Sequence, residues 1–238
     1  TGENPGAFAT AYTPLLLDIY EIQNLYGANT TTRVGNTTYG FNATSDALAS
    51  YSFAGKAAPQ FCIWDAAGVD TLDCSGYSGA QNISLVAGTF SSVDGLTNNV
   101  SIALGCSVEN AIGGSGADTI VANSSQNKLS GGAGADLFKY FTATDSTLAA
   151  RDQILDFTKG QDILDLSMLD ANVSLAGDQA FAFNGALAFT AAGQLRCTYD
   201  ANLGQTLVEA NTDANTATVE FSVALIGNVS IAATDLIL

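Results

Sequence analysis

The 238-residue chain contains no histidine, only seven lysine and arginine residues, three prolines and one methionine. The lack of histidine excludes a Ser-His-Asp triad, a Cys-His pair and a histidine-ligated zinc site from this stretch of sequence. Because 23 Asp and Glu residues give a net charge of −16, nucleic acid and anionic membranes are disfavoured as partners. The charge instead favours cations.

The sequence has no uninterrupted apolar run near the roughly 18 residues that a membrane helix needs, and no basic-then-apolar signal peptide opens it. Its four cysteines (Cys62, Cys74, Cys106 and Cys197) form no CxxC zinc pair. Two interpretations stay open: buried thiols that act as small hydrophobes, or a disulfide among the first three. A catalytic thiol is disfavoured, since no histidine is present to activate it.

Three consecutive nine-residue units occupy 113–121 (GGSGADTIV), 122–130 (ANSSQNKLS) and 131–139 (GGAGADLFK). In each unit the sixth residue offers side-chain oxygen and the eighth is apolar, and extending the register backwards adds one more oxygen-bearing position. The sixth-position residues are Glu109, Asp118, Asn127 and Asp136. This register predicts a parallel β-roll, in which two units make one turn and residues 18 apart stack. We therefore expect Asp118 beside Asp136, and Glu109 beside Asn127.

Stacked carboxylates repel one another unless a cation lies between them. Calcium prefers about six to eight oxygen ligands, so backbone carbonyls must supply much of the shell. Glycines let the backbone turn tightly enough for this, and the units provide Gly113, Gly114, Gly116, Gly131, Gly132 and Gly134. The sequence thus predicts several calcium ions and no zinc.

The rest of the chain reads as β structure after one helix. Residues 1–12 form an irregular lead-in, and a helix is predicted with Thr13 as N-cap, Pro14 as its first residue and Gly27 as its stop. Short β-rich runs begin at Thr31, two strands flank a turn at 159–160, and 180–238 alternate to an apolar tail. The predicted fold is all-β: a calcium-binding parallel β-roll flanked by antiparallel β structure, with one N-terminal α-helix. We expect 1–30 to be the lead-in and helix, and 31–238 the β domain.

Several runs in the same order resemble the C-terminal half of the serralysins, which are bacterial, calcium-binding, secreted zinc proteases of the RTX class. The runs are IQNLYGAN (22–29), TTRVGNTTYGF (31–41), IWDAAGVDTLDCSGYSG (63–79), VSIALGCSVENAIGGSGAD (100–118) and DLIL (235–238). The resemblance covers nearly the whole chain.

The resemblance also implies calcium ligands. One site would combine backbone oxygens with two carboxylates, from Arg33, Gly35, Thr37, Asp65, Ala67 and Asp70. A neighbouring site would share Asp70 and add Gly68, Ser107 and Glu109. The nonapeptide sites would use Gly114, Gly116, Asp118, Gly132, Gly134 and Asp136, and Asp152 matches a less certain acidic position that closes the last turn. Asn127 stands where the family motif has Asp, so a site there should be weaker or lost.

By the same resemblance, the tail Asp235–Leu238 implies the type I secretion apparatus as a partner and an extracellular location. The family's HExxHxxGxxH helix and Met-turn are absent, and the sole methionine is Met168. The chain is therefore expected not to hydrolyse peptides, but to act as a calcium-dependent folding and secretion module whose helix packs on a catalytic domain. Two alternatives are a standalone extracellular calcium-ordered structural or surface-assembly protein, and a glycosidase with paired carboxylates on a β-solenoid.

Overall fold

The computed structural model describes residues 11–44, 47–56 and 58–238. Two helices lie near its start, α1 (Leu16–Tyr26) and the four-residue α2 (Leu48–Tyr51). Seventeen short strands follow α1 in the described residues, and single turns of 3-10 helix occur at Ala143–Asp145 and Ala233–Asp235. The predicted irregular lead-in falls largely on residues 1–10, which lie outside the described residues.

Most strands belong to two sheets, numbered here in chain order. The nine-stranded sheet runs β1 (Thr38–Gly40), β3 (Thr71–Asp73), β7 (Asn110–Ile112), β9 (Lys128–Ser130), β11 (Asp152–Ile154), β16 (Phe221–Ile226), β15 (Gln205–Asn211), β14 (Gln194–Asp200), β13 (Ala182–Phe183). The five-stranded sheet runs β17 (Leu236–Ile237), β12 (Ile163–Asp165), β10 (Leu137–Lys139), β8 (Thr119–Val121), β4 (Asn82–Ser84). A third sheet contains β2 (Phe61–Ile63), β6 (Val100–Ile102) and β5 (Phe90–Ser91).

The chain passes back and forth between the two larger sheets, which is the geometry of a β-roll. Strands β8 and β10 pair in parallel with Ile120 opposite Phe138, and β7 and β9 pair in parallel with Ala111 opposite Leu129. Both pairs are 18 residues apart, as the nonapeptide register predicts. The predicted parallel roll is confirmed.

The core of the roll is a stack of one apolar side chain from the middle of each short strand. These central residues are fully buried: Leu72, Ala111, Leu129 and Ile154 from one sheet, and Ile83, Ile120, Phe138 and Leu164 from the other. Each fully buried Leu, Ile or Phe contributes about 1.5–3 kcal/mol of transfer free energy. The eighth position of each nine-residue unit therefore holds the sheets together.

Antiparallel strands extend the roll, as predicted. Strand β16 pairs in parallel with β11 of the roll. Strand β15 then pairs antiparallel with both β16 and β14. Strands β5 and β6 form a second antiparallel pair. The two strands predicted around the turn at 159–160 exist as β11 and β12, but they lie in different sheets, because that turn crosses from one sheet of the roll to the other.

The predicted start of the helix is wrong by two residues. The N-cap is Leu15, whose N–H donates to the Asp18 carboxylate at 2.9 Å. The Thr13 hydroxyl instead accepts the N–H of Cys62 at 2.9 Å, so it joins the lead-in to β2 rather than capping the helix. The predicted stop is confirmed, since Gly27 has φ of +82° directly after the last helical residue.

All four cysteines are free thiols, and Cys62, Cys74 and Cys106 are buried. Of the two interpretations of the cysteines, the structure supports small buried hydrophobes. No helix in the described parts of the chain is long and apolar enough to cross a membrane.

Candidate metal-binding edges of the β-roll

The turns of the roll lie on two opposite edges, because successive turns cross between the sheets in opposite directions. We call the edge formed by turns 74–81, 113–118, 131–136 and 155–162 the first edge. The second edge is formed by turns 64–70, 103–109, 122–127 and 140–151. Sixth-position residues that are nine apart therefore lie on different edges, and those that are 18 apart lie on the same edge.

On the first edge, aspartates of successive turns form a continuous ladder. Asp118 Oδ1 accepts the N–H of Gln81 at 2.7 Å, and Asp136 Oδ1 accepts the N–H of Asp118 at 2.8 Å. Asp162 Oδ1 accepts the N–H of Asp136 at 3.0 Å. Each carboxylate thus reaches back to the backbone of the preceding turn, and the predicted stacking of Asp118 and Asp136 is confirmed.

The second edge carries a similar ladder in two segments. Asp70 Oδ1 accepts the N–H of Thr37 at 2.8 Å, and Glu109 Oε2 accepts the N–H of Asp70 at 2.8 Å. One turn later, Asp152 Oδ1 accepts the N–H of Asn127 at 2.7 Å. The strands place Glu109 and Asn127 in adjacent turns, since Asn110 lies opposite Lys128. The Glu109 N–H donates to the Asp70 carbonyl at 3.2 Å, so the side-chain ladder stops between Glu109 and Asn127.

Glycines bring carbonyl oxygens of neighbouring turns together on the first edge. Gly132 and Gly134 have φ of +92° and +121°, a region that disfavours other residues. A Cβ at either position would overlap a carbonyl oxygen of the preceding turn, that of Gly114 or Gly116 respectively. The predicted glycines therefore form a cradle of carbonyl oxygens beside the Asp118–Asp136 pair.

The upstream turns build a comparable cradle on the second edge. Gly68 has φ of +139°, and a Cβ there would lie 2.6 Å from the Gly35 carbonyl oxygen and 2.8 Å from Asp70 Oδ1. Asp65 is buried, and its Oδ2 accepts the Tyr39 hydroxyl at 2.5 Å. Arg33 has a left-handed backbone with φ of +49°, and its guanidinium Nε lies 3.9 Å from Asp65.

Two predicted ligands lie at the margin of this cradle. The N–H of Ala67 donates to Asp65 Oδ1 at 3.1 Å, which closes the turn. Ser107 is exposed, and its hydroxyl pairs with that of Ser125 at 2.9 Å. The structure therefore brings together the positions Gly35, Thr37, Gly68, Asp70 and Glu109, while the Ser107 side chain points elsewhere.

Burial raises the pKa of the ladder aspartates Asp70, Asp118, Asp136, Asp152 and Asp162, because a charged group is poorly solvated there. The pKa of Asp70 rises to about 7 through burial and through repulsion from Asp65 and Glu109. Burial, with the charges of Asp162 and Asp118, raises the pKa of Asp136 to about 6. In both groups the surroundings disfavour the charged form, and a cation beside them would offset that cost.

No lysine or arginine in the described structure lies within 4 Å of the carboxylates of Asp70, Asp118, Asp136, Asp152 or Asp162. The ion pairs of the described residues involve other carboxylates: Arg33–Asp65, Lys139–Asp165, Arg151–Glu209 and Arg196–Glu209. Buried charges normally require a partner. Moreover, the buried Oδ2 atom of Asp136 accepts no hydrogen bond.

This donor set fits calcium. It consists of hard carboxylate and carbonyl oxygens, one carboxylate oxygen of Asp136 has no donor, and the glycine cradle leaves room for no side chain. Among the described residues, no three acidic or cysteine side chains converge on one point. A cation at these edges must therefore take much of its oxygen shell from backbone carbonyls.

Sequence reasoning missed Asp162, which is buried and continues the first-edge ladder beyond Asp136. Its N-terminal neighbours do not form the GGxGxD motif. A signal was nevertheless present, because 160–164 (GQDIL) repeats the G-x-D-apolar-apolar pattern of 134–138 (GADLF). The spacing of 26 residues rather than 18 hid it.

Together, the paired 18-residue register and the oxygen ladders define a β-roll of nonapeptide repeats, a class of repeat protein. The chain belongs to the family described as Peptidase M10 serralysin C terminal, whose model matches residues 28–238.

Relatives support this assignment. The chain is 40% identical to Serralysin C of Dickeya chrysanthemi, over 96% of this chain and 50% of that protein. It is 39% identical to Metallopeptidase AprA of Pseudomonas marginalis, over 86% of this chain and 46% of that protein. The chain thus spans about half the length of the curated relatives it matches. Among solved structures, the AlgE6R3 subunit of the Azotobacter vinelandii Mannuronan C5-epimerase is similar, with TM-score 0.42, 20% identity, and coverage of 71% of this chain and 78% of that one.

Proposed function

We propose that this chain is a calcium-dependent folding, stabilisation and type I secretion module of a serralysin-like extracellular protease. The observation that carries the proposal is the set of buried ladder aspartates without a lysine or arginine partner. Removing their charges from water is costly unless a cation or a proton compensates. A module of this kind folds where calcium is plentiful.

The proposed ligands fall into three groups. On the first edge, Asp118 and Asp136 would hold calcium together with carbonyl oxygens of Gly114, Gly116, Gly132 and Gly134, and Asp162 would continue the series. On the second edge, Asp65, Asp70 and Glu109 would act with the carbonyls of Arg33, Gly35, Thr37, Ala67, Gly68 and Ser107. Asp152, a buried carboxylate without a lysine or arginine partner, would close the last turn. Bound calcium supplies the positive charge that this acidic roll lacks.

The mechanism is a folding switch. A ligand that binds only the native state stabilises it by RT ln(1 + [L]/Kd), which is about 2.7 kcal/mol at 100 times Kd for each site. Several sites therefore shift folding strongly between low and high calcium. At low calcium the repelling carboxylates favour the unfolded chain, and at high calcium the roll forms.

The position of the tail supports a link between folding and export. Asp235 is buried, and its carboxylate accepts the N–H groups of Gly160 at 3.0 Å and Ala232 at 2.8 Å. Leu236 and Ile237 form β17, which pairs with β12. In the folded roll this tail is part of a sheet, so a type I apparatus would read it in the unfolded chain, before calcium is available outside the cell.

The exposed face of α1 supports a partner on that side. Leu17, Leu25 and Tyr26 are 73%, 71% and 81% exposed, although each is apolar enough to favour burial. The relatives are about twice as long as this chain. We propose that α1 contacts a catalytic half of a longer, metalloendopeptidase-like parent. Self-assembly through the same face is the competing outcome, as in a standalone structural protein.

The decisive experiment is far-ultraviolet circular dichroism during a calcium titration from excess chelator, with magnesium as the control cation. We expect the β-type spectrum to appear with calcium and not with magnesium. The double variant Asp118→Asn/Asp136→Asn should need more calcium, whereas Asp178→Asn, an exposed aspartate, should behave as wild type. A spectrum unchanged in excess chelator would refute the folding switch. Sedimentation of the calcium-loaded protein separates a monomer from an assembly.

A further inference from the structure

We propose that the middle unit of the roll, 122–130, is closed by the side-chain amide of Asn123 in place of a calcium ion. This inference rests on the proposed calcium binding of the two flanking units. It assigns to the second edge one turn that folds without metal. It also lowers the number of calcium ions below what the nonapeptide count suggests.

The first and middle units close with the same hydrogen bond, from the backbone N–H of the second residue to the side chain of the sixth, which makes their second positions comparable. In the third unit the Gly132 N–H donates to Asp156 Oδ2 at 2.9 Å instead. In the first unit the N–H of Gly114 donates to Asp118 Oδ2, and in the middle unit the N–H of Asn123 donates to Asn127 Oδ1 at 3.0 Å. Asn123 thus occupies the position of Gly114 and Gly132. At those glycines a Cβ would overlap a carbonyl oxygen, whereas the middle unit accommodates a whole side chain.

The Asn123 amide satisfies several oxygens at once. Its Nδ2 donates to the carbonyl oxygens of Leu85 and Val108, each at 3.0 Å. Its Oδ1 accepts the N–H of Ser125 at 2.9 Å and the Nδ2 of Asn127 at 2.8 Å. Leu85 and Val108 are fully buried and come from two different segments of the roll. The amide hydrogens therefore bridge backbone carbonyls that water cannot reach.

Asn127 is satisfied in the same way. It is fully buried, its backbone N–H donates to Asp152, and its side-chain oxygen and nitrogen both bond to Asn123. By contrast, the equivalent Asp136 has a buried Oδ2 with no donor. A neutral pair of hydrogen-bonded amides needs no cation, whereas a buried carboxylate with an oxygen that accepts no hydrogen bond is stabilised by one.

The consequence is a difference between the two edges. On the first edge, the last three turns each supply a ladder aspartate without a lysine or arginine partner: Asp118, Asp136 and Asp162. On the second edge, Asp70 and Glu109 come before the calcium-independent turn at 122–127, where the side-chain ladder is interrupted, and Asp152 comes after it. The turn of the middle unit is held by hydrogen bonds to Leu85, Val108 and Asp152, and it needs no ion of its own.

The test counts calcium ions bound per folded chain, by native mass spectrometry and equilibrium dialysis in parallel. The variant Asn123→Gly/Ser125→Gly/Asn127→Asp rebuilds GxGxD at 123–127, and we expect it to bind one more ion than wild type. Asn123→Ala should keep the wild-type count and lower the unfolding midpoint in calcium, because the Leu85 and Val108 carbonyls lose their donors. Asp136→Asn, the matched change in the third unit, should lose one ion.

The number of bound calcium ions is also measured for Asn127→Ala, because this variant tests whether Asn127 is a calcium ligand even if the rebuilt variant does not fold. An unchanged count in this variant supports the proposal, and the loss of one ion would overturn it by making Asn127 a calcium ligand. A rebuilt variant that folds with the wild-type count would also overturn it. A wild-type chain that binds no calcium would instead refute the proposed function, and this inference with it.

Discussion

The substitution Asp136→Asn should change stability in opposite directions with and without calcium. The side chain is almost completely buried, its Oδ1 accepts the N–H of Asp118 at 2.8 Å, and its Oδ2 accepts no hydrogen bond. An amide of the same shape keeps the oxygen that accepts this N–H. The substitution removes the carboxylate charge. That charge costs free energy in the calcium-free fold, and in the calcium-loaded fold it would bind the ion.

The magnitude follows from the pKa of Asp136, which burial raises from 3.8 to about 6. At pH 8 this corresponds to at most about 3 kcal/mol of penalty for the charged carboxylate in the calcium-free protein. The gain on substitution should shrink as pH falls from 6 and vanish below about pH 3, where the carboxyl is protonated in the folded and the unfolded state. In calcium at 100 times Kd, loss of one site costs about 2.7 kcal/mol. For a chain of this length, about 1 kcal/mol shifts the unfolding midpoint by roughly 2–4 °C.

The assay is thermal unfolding at pH 8 in calcium and in chelator, with equal sucrose added to all samples so that the calcium-free fold is populated. Asp178→Asn is the control, since Asp178 is exposed. We expect a lower midpoint for Asp136→Asn in calcium and a higher midpoint in chelator. An equal loss in both conditions would refute the reasoning, because the carboxylate would then act only as a structural hydrogen-bond acceptor.

Three further predictions concern the same edges. In chelator with the same sucrose, stability should fall as pH rises from about 4 to about 8, because burial raises the pKa of Asp152 to about 8 and the folded state then binds more protons than the unfolded state. Urea titrations in that buffer that show rising stability would contradict this. Gly132→Ala should prevent folding in calcium, since its Cβ would overlap the Gly114 carbonyl oxygen. The control Gly204→Ala, also at positive φ but in open space, should cost only about 1–2 kcal/mol. Equal circular dichroism melting curves of the two variants would contradict the close approach of the turns at Gly132. Asp235→Ala leaves the Gly160 N–H without its acceptor and should destabilise the loaded fold by about 1–3 kcal/mol; an unchanged urea midpoint would show that the tail does not anchor the roll.

The periodic part of the fold was predictable, and the irregular part was not. The nine-residue period determines where Ile120, Leu129 and Phe138 point, so the roll and its core follow from the sequence alone. The helix start did not, because Thr13 and Pro14 have the composition of a helix N-terminus. The Thr13 hydroxyl instead accepts a hydrogen bond from the N–H of Cys62, which lies 49 positions away and which no local sequence pattern reveals.

The candidate site divides in the same way. The stacking of Asp118 on Asp136 followed from their 18-residue spacing, and the family resemblance pointed to Asp70 and Glu109, which the structure joins directly. Asp162 was missed because a longer turn separates it from Asp136. Regular spacing makes ligands visible in sequence, and insertions conceal them even when the chain returns to the same edge.

By itself, the sequence determined the repeat period, the all-β class, the acidic charge and the oxygen-rich positions of the turns, because each depends on residues close together in the chain. Only the tertiary structure decided which carboxylates lack a basic partner, that the cysteines are free, that the tail pairs with β12, and that Asn123 bridges the carbonyls of Leu85 and Val108. These features depend on contacts between segments distant in sequence. Their existence is set by how the turns of the roll stack.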